Sequence, residues 1–295
     1  MSSPRHRLLA RLCHTYPFVT GCGMLANSRP FRLLAGSERG LAWAELRCGL
    51  RLRVPLEDYV GRTVYFFGDL DPKISWIARR LLRPGDQVLD VGANLGLVTL
   101  LCASLVGPSG AVHAFEPNPG LCALLEQSLR ENGLAQAHLH RVALGTRDDT
   151  LELAVPADNA GAASLVRRAS GQAERLRVPV RNTTDYFEKS GIAAARLLKL
   201  DVEGFESEVL EGARGYLEVT PPDAVLFETN DPGRRSDSHA SAELLREYDY
   251  TIFAVTRGLL RPGFVPFDAA VAGLRVNDCL AVHRARVREV MARLA

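Results

Sequence analysis

The chain has 295 residues, 47% hydrophobic and 24% charged, a balance that supports a packed globular protein and excludes a disordered, collagenous or low-complexity one. Its 36 Lys and Arg against 34 Asp and Glu leave a formal net charge of +2, too even for general attraction to nucleic acid or a membrane surface. The longest apolar runs, such as residues 95–106, fall short of the ~18–20 residues a bilayer span requires.

In chain order, residues 1–80 are irregular in texture, with Pro17, Pro30, Pro55 and many arginines that few acids balance before Glu57 and Asp58. They read as an N-terminal extension with an acceptor-recognition or lid role, ahead of a domain over 81–295. The apolar stretch after the basic start is broken by Arg11 and His14, which makes a poor secretory signal and leaves a cytoplasmic location as the expectation. After the Pro84-Gly85-Asp86 turn, Gln87–Val91 reads as a buried strand and Leu95–Val106 as a helix. A strand over Ala111–Glu116, a helix over Pro119–Asn132 and a strand over His138–Val142 follow. Further along come a strand over Arg196–Asp201, a helix from Ser207 to Tyr216, and a strand over Ala224–Glu228. A helix over Ala240–Glu247 leads to a strand over Tyr250–Val255. This alternation predicts an α/β fold, a Rossmann-like doubly wound sheet with right-handed crossovers. The last apolar run, Cys279–Val282, has no long helix before it and fits an antiparallel seventh strand; a basic helical tail runs from Arg284 to Leu294. Between Thr146 and Gly191 the rhythm breaks, and strand-like pieces at 150–155 and 176–180 read as an insertion hairpin at the sheet edge, near the ligand crevice. Cysteines at 13, 22, 48, 102, 122 and 279 form no CxxC pair and join no His cluster, so they read as small buried residues of a reducing compartment, and no metal site is expected from them.

The residues that point to chemistry lie at strand ends. Asp90-Val-Gly-Ala-Asn-Leu-Gly96 joins a strand to a helix, where Gly92 permits a tight turn and Gly96 lets the helix approach the sheet. Glu116 closes the next strand, 20 residues after Gly96, where a carboxylate can accept hydrogen bonds from two ribose hydroxyls. Together they imply an adenosine-containing ligand. Dinucleotide sites place a glycine two residues after the first so that backbone can approach the pyrophosphate; here that position is Asn94. S-adenosyl-L-methionine, which has no phosphates and carries an amino-acid end, fits better than NAD. Asp201, Glu203 and Glu206 gather carboxylates at the C-terminal end of the fourth strand, the edge where ligands bind in open α/β sheets. Glu206 also reads as an acid favoured by a helix dipole, and Lys199 as a strand-edge charge or a partner of these acids.

Taken as a set, Asp90-Val-Gly-Ala-Asn-Leu-Gly96, Phe115-Glu-Pro-Asn-Pro119, Val142-Ala-Leu-Gly145, Asn159-Ala-Gly-Ala-Ala-Ser164, Lys199-Leu-Asp-Val-Glu-Gly-Phe-Glu206 and Phe227-Glu228 resemble the FkbM family of S-adenosylmethionine-dependent methyltransferases, in the family's order over roughly 84–255. Upstream, Leu56-Glu-Asp-Tyr-Val-Gly61 and Tyr65-Phe-Phe-Gly68 also look like the family's lead-in. The resemblance implies a class I methyltransferase fold and O-methylation of a hydroxyl on a natural product or sugar. The expected cofactor-binding set is Asp90, Gly92, Asn94, Gly96 and Glu116, with Ala143 added by the resemblance.

For the chemical step, Asp201 or Glu203 is the expected base or nucleophile-positioning group, and Glu228 a further candidate. His113, inside a strand, reads as structural. A variant places a divalent ion on Asp201, Glu228 and Asn230, where it would acidify the acceptor hydroxyl. Two other classes compete: a nucleotide-linked oxidoreductase, disfavoured by Asn94, and a non-catalytic adenosyl-ligand-binding module, disfavoured by the intact cofactor motif. The arginines over 5–53 and 284–293 are not interleaved with aromatics, so the expected partner is a small-molecule or glycosyl acceptor rather than nucleic acid or membrane. The acceptor itself, oxygen versus nitrogen as its attacking atom, and the oligomeric state stay open.

Overall fold

The computed structural model describes residues 4–36, 39–155, 165, 174–228, 237–267 and 278–295. The N-terminal part is not irregular. It holds α1 (Pro4–Cys13), α2 (Cys22–Asn27), α3 (Arg29–Ala35), the hairpin β1 (Leu41–Glu45) and β2 (Arg51–Pro55), α4 (Tyr59–Phe67) and α5 (Pro72–Leu81). Several of the prolines and polar residues in the stretch start helices, while Pro17 lies between α1 and α2 and Pro55 ends β2. Ser28 caps α3, whose first turn contains Pro30; Asp58 Oδ1 accepts from Gly61 N at 2.9 Å to cap α4; Asp71 accepts from Lys73 N at 3.0 Å to cap α5, which opens on Pro72. Helix α4 is buried from Val60 to Phe67 and forms the hub of this part, with α1, α2 and the hairpin packed around it.

Next come β3 (Gln87–Val91), α6 (Leu97–Val106), β4 (Ala111–Phe115), α7 (Pro119–Glu131), β5 (Ala137–His140), β6 (Ala143–Gly145), β7 (Asp149–Val155), β8 (Glu174–Asn182) and α8 (Thr183–Lys189). The chain continues through β9 (Leu197–Leu200), α9 (Glu206–Gly212), α10 (Arg214–Val219), β10 (Ala224–Glu228), α11 (Asp237–Glu247), β11 (Tyr250–Thr256), β12 (Gly263–Pro266), β13 (Asp278–His283) and α12 (Val287–Leu294). The main sheet has the order β12-β11-β13-β10-β9-β3-β4-β5. Strands β5, β4, β3, β9 and β10 are mutually parallel, and β13 is inserted antiparallel to both β10 and β11, as the last apolar run implied. The extra edge strand β12 pairs antiparallel with β11; its four residues show no inward–outward alternation that would mark it in the sequence.

Two further differences concern the helix over 207–216 and the insertion hairpin. The helix expected over 207–216 is two helices, because hydroxyls from the start of α8 take up carbonyls at the break: Thr183 Oγ1 donates to Val209 O at 3.1 Å and Thr184 Oγ1 to Gly212 O at 2.8 Å. The insertion hairpin does not extend the main sheet. β7 and β8 pair antiparallel, from Asp149 opposite Val180 to Val155 opposite Glu174, and β6 joins β8 in parallel to make a separate three-stranded sheet. The motif at 159–164 and Asn230 lie outside the described residues.

Alternation along the parallel strands divides the core in two. Val88, Val112, Leu197 and Leu226 face one layer, and Leu89, Phe115, Leu198 and Phe227 the other. The N-terminal elements share the first layer: Leu52, Val64, Phe66 and Ile77 belong to the same cluster as Val88 and Leu100. Among the described residues, no helix is long and apolar enough to cross a membrane. All six cysteines are free, four of them buried.

Where α9 meets β6, a Cβ on Gly212 would overlap the backbone carbonyl oxygen of Gly145, and neither backbone can give way cheaply. Gly212→Ala is expected to destabilise the fold by about 1–3 kcal/mol through overpacking, read as a lower denaturant midpoint at unchanged slope.

Candidate active site

The carboxyl ends of β3, β4, β9 and β10 converge on a cavity of about 640 Å³. Parallel strands place their loops along one edge, so Gly92 and Asn94, Glu116, Asp201 and Glu203, and Glu228 reach one space from four different strands. Ala143 lies in the same wall, and Val19, Met24 and Tyr59 close the cavity from the N-terminal side.

Both glycines of the first loop are demanded by packing. Gly92 has φ +80°, and a Cβ there would overlap the carbonyl oxygen of Asp201; Gly96 has φ +94°, and a Cβ there would overlap the Leu125 side chain. Gly96 does not line the cavity, and neither does Asp90. Asp90 is fully buried one layer below, where its Oδ2 accepts from Thr99 Oγ1 at 2.6 Å and its Oδ1 lies 3.4 Å from Lys199 Nζ. Lys199 Nζ in turn donates to Gly92 O at 2.8 Å and stands 3.4 Å from Asp201 Oδ2. Burial pulls the pKa of Lys199 down, but the carboxylates of Asp201 and Asp90 more than reverse this, so it is raised and the ammonium stays charged. Asp90 thus acts on the cavity through the loop it braces.

Glu116 is buried at the cavity wall, its Oε2 accepting from Asn94 N and its Oε1 from Asn118 N, both at 2.8 Å. Each oxygen keeps acceptor capacity for a further donor. Burial pushes its pKa up to about 7, against the two backbone amides, which favour the charged form. Asn94 holds φ +54°, a left-handed conformation Asn tolerates, and its own Oδ1 accepts from Leu95 N at 2.7 Å.

On the far side of the cavity, the three carboxylates after β9 separate in role. Glu206 is buried, and its Oε1 accepts from Val202 N at 3.0 Å to close the loop. Asp201 and Glu203 line the cavity, Glu203 at φ +54°, a strained conformation for that residue type. Glu228 joins them from β10; burial, then the charges of Asp201, Asp278, Glu203 and Glu206, push its pKa up to about 8.

Two site residues have no counterpart among the sequence expectations. Asp278 starts β13 directly opposite Glu228, because an antiparallel strand brings its beginning to the edge where parallel strands end. Lys73, almost wholly buried, donates to Asp278 Oδ2 at 2.6 Å and to Asp71 Oδ2 at 2.5 Å. The antiparallel reading of the last strand was the available signal for Asp278; nothing in the sequence pointed to Lys73. His113 sits away from the cavity, with its Nδ1 3.1 Å from His140 Nε2, and burial lowers its pKa to about 4. Among the described residues no group of three or more His, Cys, Asp or Glu is arranged to hold a metal ion, and the Asn230 of the divalent-ion variant is not among them.

With the edge strand β12 set aside and the other strands counted by first appearance along the chain, the sheet order third–second–first–fourth–fifth–seventh–sixth, with the seventh antiparallel and the crevice at the strand ends, is the class I S-adenosylmethionine-dependent methyltransferase fold. The family described as Methyltransferase FkbM domain matches residues 90–252, just over half of the chain. The chain belongs to the FkbM methyltransferase family. It is 34% identical over 166 residues to the 31-O-demethyl-FK506 methyltransferase FkbM of Streptomyces tacrolimicus, covering 44% of this chain and 60% of that one. It is 25% identical over 148 residues to Methyltransferase 1 of Beauveria bassiana, covering 44% and 59%. These matches span about 60% of the length of the first relative and 59% of the second. Among solved structures, an FkbM methyltransferase from Methylobacillus flagellatus aligns over 95% of this chain and 58% of its own, at 15% identity and a TM-score of 0.44.

A protonated Glu116 is a poorer partner for two hydroxyl donors than an ionised one. Affinity for S-adenosylhomocysteine is therefore expected to strengthen as pH rises through about 7, with proton release on binding near that pH. Glu116→Gln should flatten both effects, as read by calorimetry in buffers of different ionisation enthalpy.

Proposed function

We propose that the protein is an S-adenosylmethionine-dependent methyltransferase that methylates a hydroxyl of a small-molecule or glycosyl acceptor. The observation that carries this reading is the convergence on one cavity of Glu116, from the strand on one side of β3, and Asp201, Glu203 and Glu228, from the strands on the other. The residues present fit the cofactor. Glu116 offers two oxygens with spare acceptor capacity for ribose hydroxyls, and Pro117, Leu121 and Val142 give the same cavity apolar wall for an adenine ring. Bound there, S-adenosylmethionine supplies an electrophilic methyl group on a positively charged sulfur.

Everything else falls to this chain's own side chains. Alignment of the acceptor oxygen is the main requirement, and good alignment is worth up to about 7–11 kcal/mol of barrier. Asp201, held by Lys199, offers a fixed acceptor for that alignment. Of the three carboxylates proposed for the chemical step, Glu228 suits a base best: a pKa near 8 is matched to taking a hydroxyl proton close to neutral pH. Val19, Met24 and Tyr59 form the N-terminal wall of the cavity, which supports acceptor recognition as the role of residues 1–80. The name of the Streptomyces relative, which specifies methylation at an oxygen of FK506, supports oxygen as the attacking atom.

The test is turnover of labelled S-adenosylmethionine on a panel of hydroxylated acceptors, preceded by titration with S-adenosylhomocysteine and NADH. Binding of NADH alone would overturn the reading in favour of an oxidoreductase. Glu228→Gln is expected to lower kcat by about 10²–10⁴-fold while leaving S-adenosylhomocysteine affinity intact. In the wild type, kcat/KM should climb with pH up to about 8 and then level.

A further inference from the structure

Away from the strand ends, a second cavity of about 590 Å³ opens on the N-terminal helices. Its lining includes Arg29 and Arg32 of α3, Arg39, and Arg62 of α4, faced among the described residues by the carboxylate of Glu57. Among the described residues, four guanidinium groups against one carboxylate make this wall strongly positive on a chain whose formal net charge is only +2. Even that carboxylate is engaged, since Glu57 Oε2 accepts from Gly40 N at 2.7 Å.

Arg62 makes this more than a charged surface. It is only 8% exposed, and its Nε has no hydrogen-bond partner among the described residues. A buried guanidinium donor left unmatched is costly, and water or an anion is what ordinarily meets it. Burial, then the charge of Arg32, lowers the pKa of Arg62, with Glu57 acting the other way. The two arginines therefore repel each other across the space, and an anion placed between them would relieve both that repulsion and the desolvation. Guanidinium forks converging from two helices and a loop match a tetrahedral oxyanion that offers several terminal oxygens at once.

We propose that this cavity is a binding site for a phosphate group. The proposal does not depend on the methyl-transfer reading, although the two cavities are neighbours. Tyr59, at the start of α4, lines the first cavity and Arg62, three residues on, lines the second, about 4.5 Å along the helix axis. Asn27 ties the helices that separate them, its Nδ2 donating to Tyr59 O at 3.2 Å and to Thr63 Oγ1 at 3.0 Å. Leu33 adds an exposed apolar edge to the arginine cavity, so the phosphate can come from a soluble phosphorylated compound or from a lipid headgroup.

Calorimetry of the full chain with inorganic pyrophosphate, together with co-sedimentation on phosphatidylcholine vesicles with and without phosphatidic acid, tests the site and separates the two sources. Pyrophosphate binding without sedimentation assigns a soluble ligand; selective sedimentation with phosphatidic acid assigns a headgroup; either supports the site. Arg62→Gln and the exposed Arg32→Gln are each expected to weaken the interaction by about 10- to 100-fold. S-adenosylhomocysteine affinity should stay unchanged in both variants; absence of that binding in the wild type would count against the methyltransferase reading and leave the phosphate site standing. The proposal is overturned if neither pyrophosphate nor phosphatidic acid vesicles bind, or if Arg32→Gln, which keeps a folded chain, binds them as tightly as the wild type.

Discussion

One buried ammonium holds the active edge together. Lys199 sits between the carboxylates of Asp90 and Asp201 and donates to the carbonyl of Gly92. In doing so it ties the loop after β3 to the strand and loop of β9. The close contact of Gly92 with the Asp201 backbone follows from the same arrangement, as does the need for glycine there. A buried charge of this kind is tolerated only when paired and hydrogen-bonded, and here both conditions are met by groups that also shape the cavity. Cofactor loop and carboxylate loop are therefore one mechanical unit.

A second charged cluster completes the other end. Lys73, Asp71 and Asp278 bring α5 and β13 to the side of Glu228. Burial, then the carboxylates of Asp201, Asp278, Glu203 and Glu206, keep the proton affinity of Glu228 high. The contrast with Asp201, which has Lys199 at 3.4 Å, gives two acids on adjacent strands different environments and so different uses.

Much of the fold was legible because parallel strands buried on both faces leave short, continuous apolar runs. Gln87–Val91 and Ala224–Glu228 stand where such runs predict them, and the antiparallel last strand followed from the absence of a crossover helix. Gly92, Asn94, Glu116, Ala143, Asp201, Glu203 and Glu228 all come to one cavity. Asp90 and Gly96 do not, because a motif records which residues a site needs without separating those that touch the ligand from those that brace the loop. The N-terminal helices were missed for a related reason. Helices α2 and α3 have six and seven residues and α1, α4 and α5 only nine or ten, so each carries little periodicity, and α1 and α2 gain their stability by packing on α4 and not from local preference. Lys73 was invisible because its partner Asp278 lies 205 positions away.

The antiparallel insertion of β13 also sets an order of assembly. The cavity wall from Gly92 to Glu228, with Lys199 bracing the first loop, precedes residue 278 in the chain and can come together while the chain is still emerging N-terminus first. Glu228 has no Asp278 beside it, and Lys73 lacks that counter-charge, until the strand at 278–283 slides between β10 and β11. Until then β10 and β11 have no shared neighbour, and the sheet is open along its middle. The last strand works as a keystone: the polypeptide acquires most of the cavity wall early and the Asp278 and Lys73 pairing beside Glu228 late, so a partly made chain holds the first without the second.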